Sequence, residues 1–167
     1  MTTDAHVNSL QRFIVAQDGN TSTRRDMSAF EAAIEELKNG KKEGHWIWFI
    51  FPQIEIGQSE MARKYAIKSL AEAEDFLKNR ILRDRLLSTS EIVISQLKNG
   101  VNPEVLLGGS TDCLKLSSSM TLFKAISQRL DDFALEQVCG NVLKLLDKSS
   151  IPLCAATEDW LQKKGTY

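Results

Sequence analysis

Apolar residues recur three and four positions apart along most of the chain, and no stretch alternates apolar with polar residues for long enough to read as a strand. The pattern predicts an all-α protein, a single multihelical domain over 1–167 built from about seven to nine short helices. Leu10, Phe13, Ile14 and Gln17 mark the first helix, which Asp18-Gly19-Asn20 ends before a polar loop from Thr21 to Arg25. Ser28 with Glu31 three residues later is a capping box. Behind it Phe30, Ala33, Ile34 and Leu37 form an apolar face, with the charged residues on the other, and Asn39-Gly40 supplies a left-handed stop.

Ser59 is placed to cap a helix with the stripe Ala62, Tyr65, Ala66 and Leu70, and Ser69 with Glu72 restarts it around Phe76 and Leu77, with a bend near Ser69. Leu82, Leu86, Val93 and Leu97 repeat at helical intervals between Ile81 and Lys98. Ser88-Thr89-Ser90 weakens the middle of that helix, because hydroxyls compete for backbone hydrogen bonds. Asn102-Pro103 opens a short turn before Gly108-Gly109, and Asp112 is expected to cap the helix beyond it. C-terminal helices follow over 131–164, one with Gly140 inside it and one capped by Thr157 that carries Trp160 and Leu161.

Composition narrows the class of partner. The 167 residues are 43% hydrophobic and 26% charged, with Lys+Arg 21 against Asp+Glu 22 and a pI near 6.1, a soluble globular balance. That near-neutrality argues against a large phosphate-tracking surface and so against nucleic acid. Cys113, Cys139 and Cys154 fall into no metal-ligand or disulfide spacing, which fits a reducing cytoplasm. The N-terminal MTTDAHVNSLQRF has no apolar leader-like run and no stretch approaches membrane-spanning length, so no membrane association is expected. Oligomeric state is not legible.

Two segments stand out chemically. In Trp46 to Phe51, two tryptophans and two phenylalanines fall within six residues, between a lysine-rich turn and Pro52. On a helix Trp46, Phe49 and Ile50 share one side and Trp48 and Phe51 another, so the segment needs protein on several faces or a ligand on one. Most of these rings read as core. His45 and Gln53, however, place hydrogen-bonding groups at both ends of the apolar wall. The second segment, Gly108 to Phe123, puts a glycine pair and hydroxyls at a helix start, then Asp112, Lys115 and Ser119 at i, i+3 and i+7 with Ser118 beside them. The plainer reading is that Lys115 pairs with Asp112 on the surface and the serines allow close helix packing. Cys113 lacks a histidine near it in sequence and has an acidic neighbour that raises a thiol pKa, so it reads as inert.

RFIVAQ (Arg12 to Gln17), ELKNGKKEGHWIWFIFPQ (Glu36 to Gln53), SEMARKYAI (Ser59 to Ile67), EAEDFL (Glu72 to Leu77) and DCLKLSSSMTLF (Asp112 to Phe123) occur in an order that resembles one domain family of unknown function. Its members are small, mainly helical bacterial proteins sometimes labelled calpastatin-like. The resemblance spans about 10–123 and implies that His45, Trp46, Trp48, Phe51, Gln53, Ser59, Tyr65, Asp112, Lys115, Ser118, Ser119 and Thr121 fill motif positions; it brings no established catalytic residues. Glu43-Gly44, Cys113 and Ser117 depart from the family pattern and speak against a strongly cationic pocket.

The expectation is that the two segments meet to form a pocket for a nucleotide-like or phosphate- and ribose-containing small molecule. Trp46, Trp48, Gln53, Ser59, Tyr65, Lys115, Ser118 and Ser119 would bind it. If there is catalysis, the reaction is a hydrolysis with Asp112 as general base or cation stabiliser and His45 as acid. The cofactor is unknown, and with only His6 and His45 available no metal site is expected. The rival is a non-enzymatic protein interaction module in which the same rings are core.

Overall fold

The computed structural model describes residues 2–21 and 23–166, with side chains described from Ser9 onward within that span. Ten helices occur among these residues: α1 (Thr2–Asp18), α2 (Ala29–Lys38), α3 (Ile47–Ile50), α4 (Glu60–Lys64), α5 (Leu70–Lys78), α6 (Arg80–Lys98), α7 (Pro103–Leu107), α8 (Ser110–Arg129), α9 (Phe133–Lys148) and α10 (Ala155–Lys163). The all-α expectation holds. Helices α3, α4 and α7 are single turns, while α8 runs through the middle of the molecule and packs against α3, α5, α7, α9 and α10. Its Leu116, Met120, Leu122, Phe123 and Ile126 are fully buried. Ser117, Ser118 and Ser119 are buried beside them, where small side chains let neighbouring backbone approach.

Several starts and stops follow the local chemistry. Ser28 accepts from the Glu31 amide at 3.1 Å while the Glu31 carboxylate accepts from the Ser28 amide at 2.9 Å, a reciprocal box. The helix then ends at Asn39 with Gly40 at φ +79°, a conformation that costs glycine nothing. Helix α6 is continuous through Ser88-Thr89-Ser90 because the first two hydroxyls turn back onto the carbonyls of Asp84 and Arg85, both at 2.9 Å, and leave the backbone ladder intact.

Other expectations are corrected. Helix α4 is five residues and stops at Tyr65, short of the predicted stripe, because Ile67 leaves the helix to form a parallel bridge with Ile54 in which its amide donates to the Gln53 carbonyl at 2.9 Å. Ser69 caps α5, yet the Glu72 carboxylate takes the Lys68 amide at 2.8 Å instead of the Ser69 amide, so the box is not reciprocal. Asp112 is not a cap: Gly109 is the N-cap of α8, and the Asp112 carboxylate turns to lysines. Thr157 is not a cap either. Its hydroxyl lies 2.7 Å from that of Ser118, and the N-cap of α10 is Cys154, which makes no side-chain cap.

The aromatic run is a single helical turn, not a full helix. Phe51 leaves it before Pro52, as the restricted residue ahead of a proline should. Trp46, Phe49 and Phe51 are buried; Trp48 is half-buried.

Candidate ligand-binding cleft

The Trp46 end of this run is anchored by a carboxylate. Glu36, on the buried face of α2, accepts the amides of Glu43 and Gly44 at 2.8 and 2.9 Å and the Trp46 indole N–H at 2.7 Å, all on one oxygen. Three donors make a buried carboxylate tolerable and pin the loop from Glu43 to Trp46. At the other end Gln17 donates to the Phe49 carbonyl at 2.9 Å and receives Arg85 at 3.1 Å. Arg12 of α1 ties the end of α4 to α5, donating to the carbonyls of Lys64 and Ala66 at 2.8 Å each and meeting Glu72 at 2.6 Å. Burial alone would raise the Glu72 carboxyl, but the Lys68 amide, Arg12 and Ser9 together hold it below its ordinary value.

With these constraints Trp48, half-buried and packed against the core, forms one wall of an open cleft of about 500 Å³. The segment from Gln53 to Ser59 and Ala62 of α4 form a second wall, and Thr111, Leu114 and Lys115 of α8 a third. Leu153, Cys154 and Ala155, leading into α10, close it. The lining is predominantly apolar. Lys115 Nζ stands 4.3 Å from the Trp48 ring centroid, a cation–π distance, and 3.2 Å from Asp112. Asp112 in turn meets Lys42 at 2.8 Å.

Gln53 is a polar group of this lining, 7% exposed, whose main-chain carbonyl takes the Ile67 amide. The Trp48 indole N–H on the same wall is buried with no hydrogen-bond partner, and an unmatched buried donor is costly.

Of the residues singled out from sequence, Trp48, Gln53, Ser59 and Lys115 line this one cleft. The others lie elsewhere. Trp46 is fully buried against Glu36, and Tyr65 packs in the core on Phe13 and Phe49 at centroid distances of 6.0 and 5.3 Å. Ser118 is tied to Thr157, and Ser119 is fully buried with its hydroxyl unpartnered. Asp112 sits behind Lys115, held between two lysines, and His45 is exposed and absent from the cleft wall. The proposed acid and base are therefore not brought together across the cleft.

Burial, then the Glu104 and Asp112 charges, push the Cys113 thiol up to about 12, which keeps it protonated. No group of three or more His, Cys, Asp or Glu among the described residues is disposed to hold a metal ion; the side chain of His6 lies outside them. Sequence reasoning missed the wall made by Leu153, Cys154 and Ala155. Its only local signal is Pro152 preceding a new helix.

The class defined by this geometry is a small multihelical protein with a mainly apolar cleft between its central helix and the aromatic turn. The chain belongs to the family described as protein of unknown function (DUF1810), whose model matches residues 7–144. It is similar to the conserved hypothetical protein Rv1873 from Mycobacterium tuberculosis, known from a crystal structure at 1.38 Å: identity is 32%, the TM-score 0.71, and the match covers 92% of this chain and 96% of that one. No curated protein matches it. No helix among the described residues is long and apolar enough to cross a membrane.

Proposed function

We propose that the cleft binds a nucleotide-like small molecule, with a planar ring system against the apolar walls near Trp48 and a polar edge read by Gln53. The observation that carries this reading is the Trp48 indole, whose N–H is buried without a hydrogen-bond partner on the wall of a space of about 500 Å³ that Gln53 also lines. Such a volume is in the range of small-molecule sites, which combine apolar walls with a few convergent polar groups. A base edge offers complementary donors and acceptors, and Ser59, Thr111 and Lys115 are spaced along the rest of the lining for ribose or phosphate oxygens. The reading is one of binding. Hydrolysis would need a free base, and Asp112 is engaged by Lys42 and Lys115.

A second reading has its own observation. Leu114 and Leu153 are 51% and 52% exposed on the cleft rim, as in a surface that receives an apolar side chain of a protein partner. Thermal unfolding in the presence of adenosine, AMP and ADP-ribose separates the two. A rise in Tm for at least one of them, lost in Gln53→Leu with the fold intact, is the result expected of a binding site. No shift across the panel for the folded protein overturns the small-molecule reading in favour of the partner surface.

A further inference from the structure

Among the described lining residues Lys115 is the one that carries a charge, and it belongs to a chain of three charges that begins outside the cleft. Asp112 presents one carboxylate oxygen to Lys115 at 3.2 Å and the other to Lys42 at 2.8 Å. Lys42 does not line the cleft. Its side chain is 8% exposed, its ammonium lies 5.2 Å from the Trp46 ring centroid, and its amide donates to the Leu106 carbonyl at 2.9 Å, so it is held from both ends. If Asp112 had Lys115 as its sole partner, the pair would be neutral and the cleft would offer no net charge. With Lys42 on the second oxygen, the three groups together carry one positive charge, and Lys115 is the member that reaches the lining.

Two further features point the same way. Helix α10 has Cys154 as its N-cap with no side-chain cap, and Cys154 and Ala155 are both in the cleft wall; Thr157 is fixed to Ser118, one turn along α8 from Lys115. The free amides of that first turn add partial positive charge to the same side. Gln53 is independent of both, lines the cleft and also has N–H groups to offer.

We propose that the cleft selects ligands that carry one oxyanion beside their ring system, a carboxylate, sulfonate or phosphate ester, and that Lys42 sets this selectivity from outside by neutralising Asp112. The inference rests on the cleft being a small-molecule site and names the charge class of its ligand. Lys42 and Asp112 are positioning residues, because each acts on the ligand through Lys115.

The test uses two fluorescent probes of similar shape on the full chain, anilinonaphthalenesulfonate, which is anionic, and N-phenylnaphthylamine, which is neutral. The readout is the ratio of their affinities. Wild type favours the sulfonate; Lys115→Met lowers that preference by about tenfold, on the scale of one charged hydrogen bond. Lys42→Met lowers it in the same direction and Lys42→Arg restores it, while Asp112→Asn raises it. A residue with a merely structural role does not give opposite signs for Lys42→Met and Asp112→Asn. Should Lys42→Met fail to fold by circular dichroism, the rise in Asp112→Asn and the fall in Lys115→Met decide the matter. If the neutral probe binds but the ratio is the same in wild type, Lys42→Met and Asp112→Asn, this inference is overturned while the cleft reading stands. If neither probe binds the folded wild type, the cleft reading fails and this one with it.

Discussion

Replacing Glu36 by alanine removes the single oxygen that accepts the Glu43 amide, the Gly44 amide and the Trp46 indole within 2.9 Å. Trp46 is fully buried and Gly44 buried, so water cannot replace the lost acceptor without opening the loop. An orphaned buried donor costs about 1 to 3 kcal/mol, and with partial relaxation the three together should cost about 3 to 6 kcal/mol. That is a large share of the roughly 5 to 15 kcal/mol by which domains are stable. Glu36→Gln keeps a carbonyl acceptor in place and loses only its charge, for about 1 to 2 kcal/mol. Equilibrium urea unfolding reads both as a shift in midpoint at constant m-value. The site is also sterically full: a Cβ at Gly44 would stand 3.0 Å from Trp46 Cδ1 and 3.3 Å from a Glu36 oxygen, so Gly44→Ala should destabilise by crowding the indole and the carboxylate together. A Glu36→Ala loss below about 1 kcal/mol would refute the assignment of Glu36 as the anchor of this loop.

Acid should weaken the fold partly through Glu72. Its folded pKa lies below the ordinary value of about 4.3, so its contribution is complete above that pH and is lost as pH falls through the lower folded value. Unfolding free energy measured from pH 6 downward should therefore decline less steeply in Glu72→Gln than in wild type; parallel curves would show that the Glu72 carboxylate, held by the Lys68 amide, Arg12 and Ser9, does not supply it. With a thiol reagent on the native protein, half-buried Cys154 should react while Cys113 and Cys139 stay protected. Burial pushes both thiols up to about 12, and all three should react in denaturant. Gly108→Ala should cost about 1 kcal/mol in the same urea assay, because Gly108 sits at φ +79° between α7 and α8; no loss would mean that the turn re-forms without a left-handed residue.

Local signals carried much of the helical layout. The Ser28 box, the Asn-Gly stops and Asn102-Pro103 act within a few residues, so their chemistry is complete in the sequence. The failures share a cause, which is competition from partners distant in sequence. Asp112 and Thr157 have the right residue type for caps, but Lys42 lies 70 positions from the first and Ser118 lies 39 from the second. Glu36 sits on the same stripe as Ala29, Ala33 and Leu37, a signal of burial that its charge disguised. Within the cleft, Gln53, Trp48 and Lys115 were legible because an unusual polar residue followed an aromatic run and a lysine faced an apolar stripe. The Leu153 to Ala155 wall was not, since nothing local says what a loop before a helix will cover.

The most direct measurement is a titration of indole-labelled protein with AMP, followed by NMR at the three tryptophan Nε1 positions, Trp46, Trp48 and Trp160. Trp46 is tied to Glu36 in the core, and Trp160 lies on α10 outside the cleft wall; Trp48 alone of the three lines the cleft. Saturable movement of the Trp48 signal, with Trp46 and Trp160 unchanged and the effect abolished in Gln53→Leu, is the predicted result. A Trp48 signal that stays fixed up to saturating nucleotide would contradict the account.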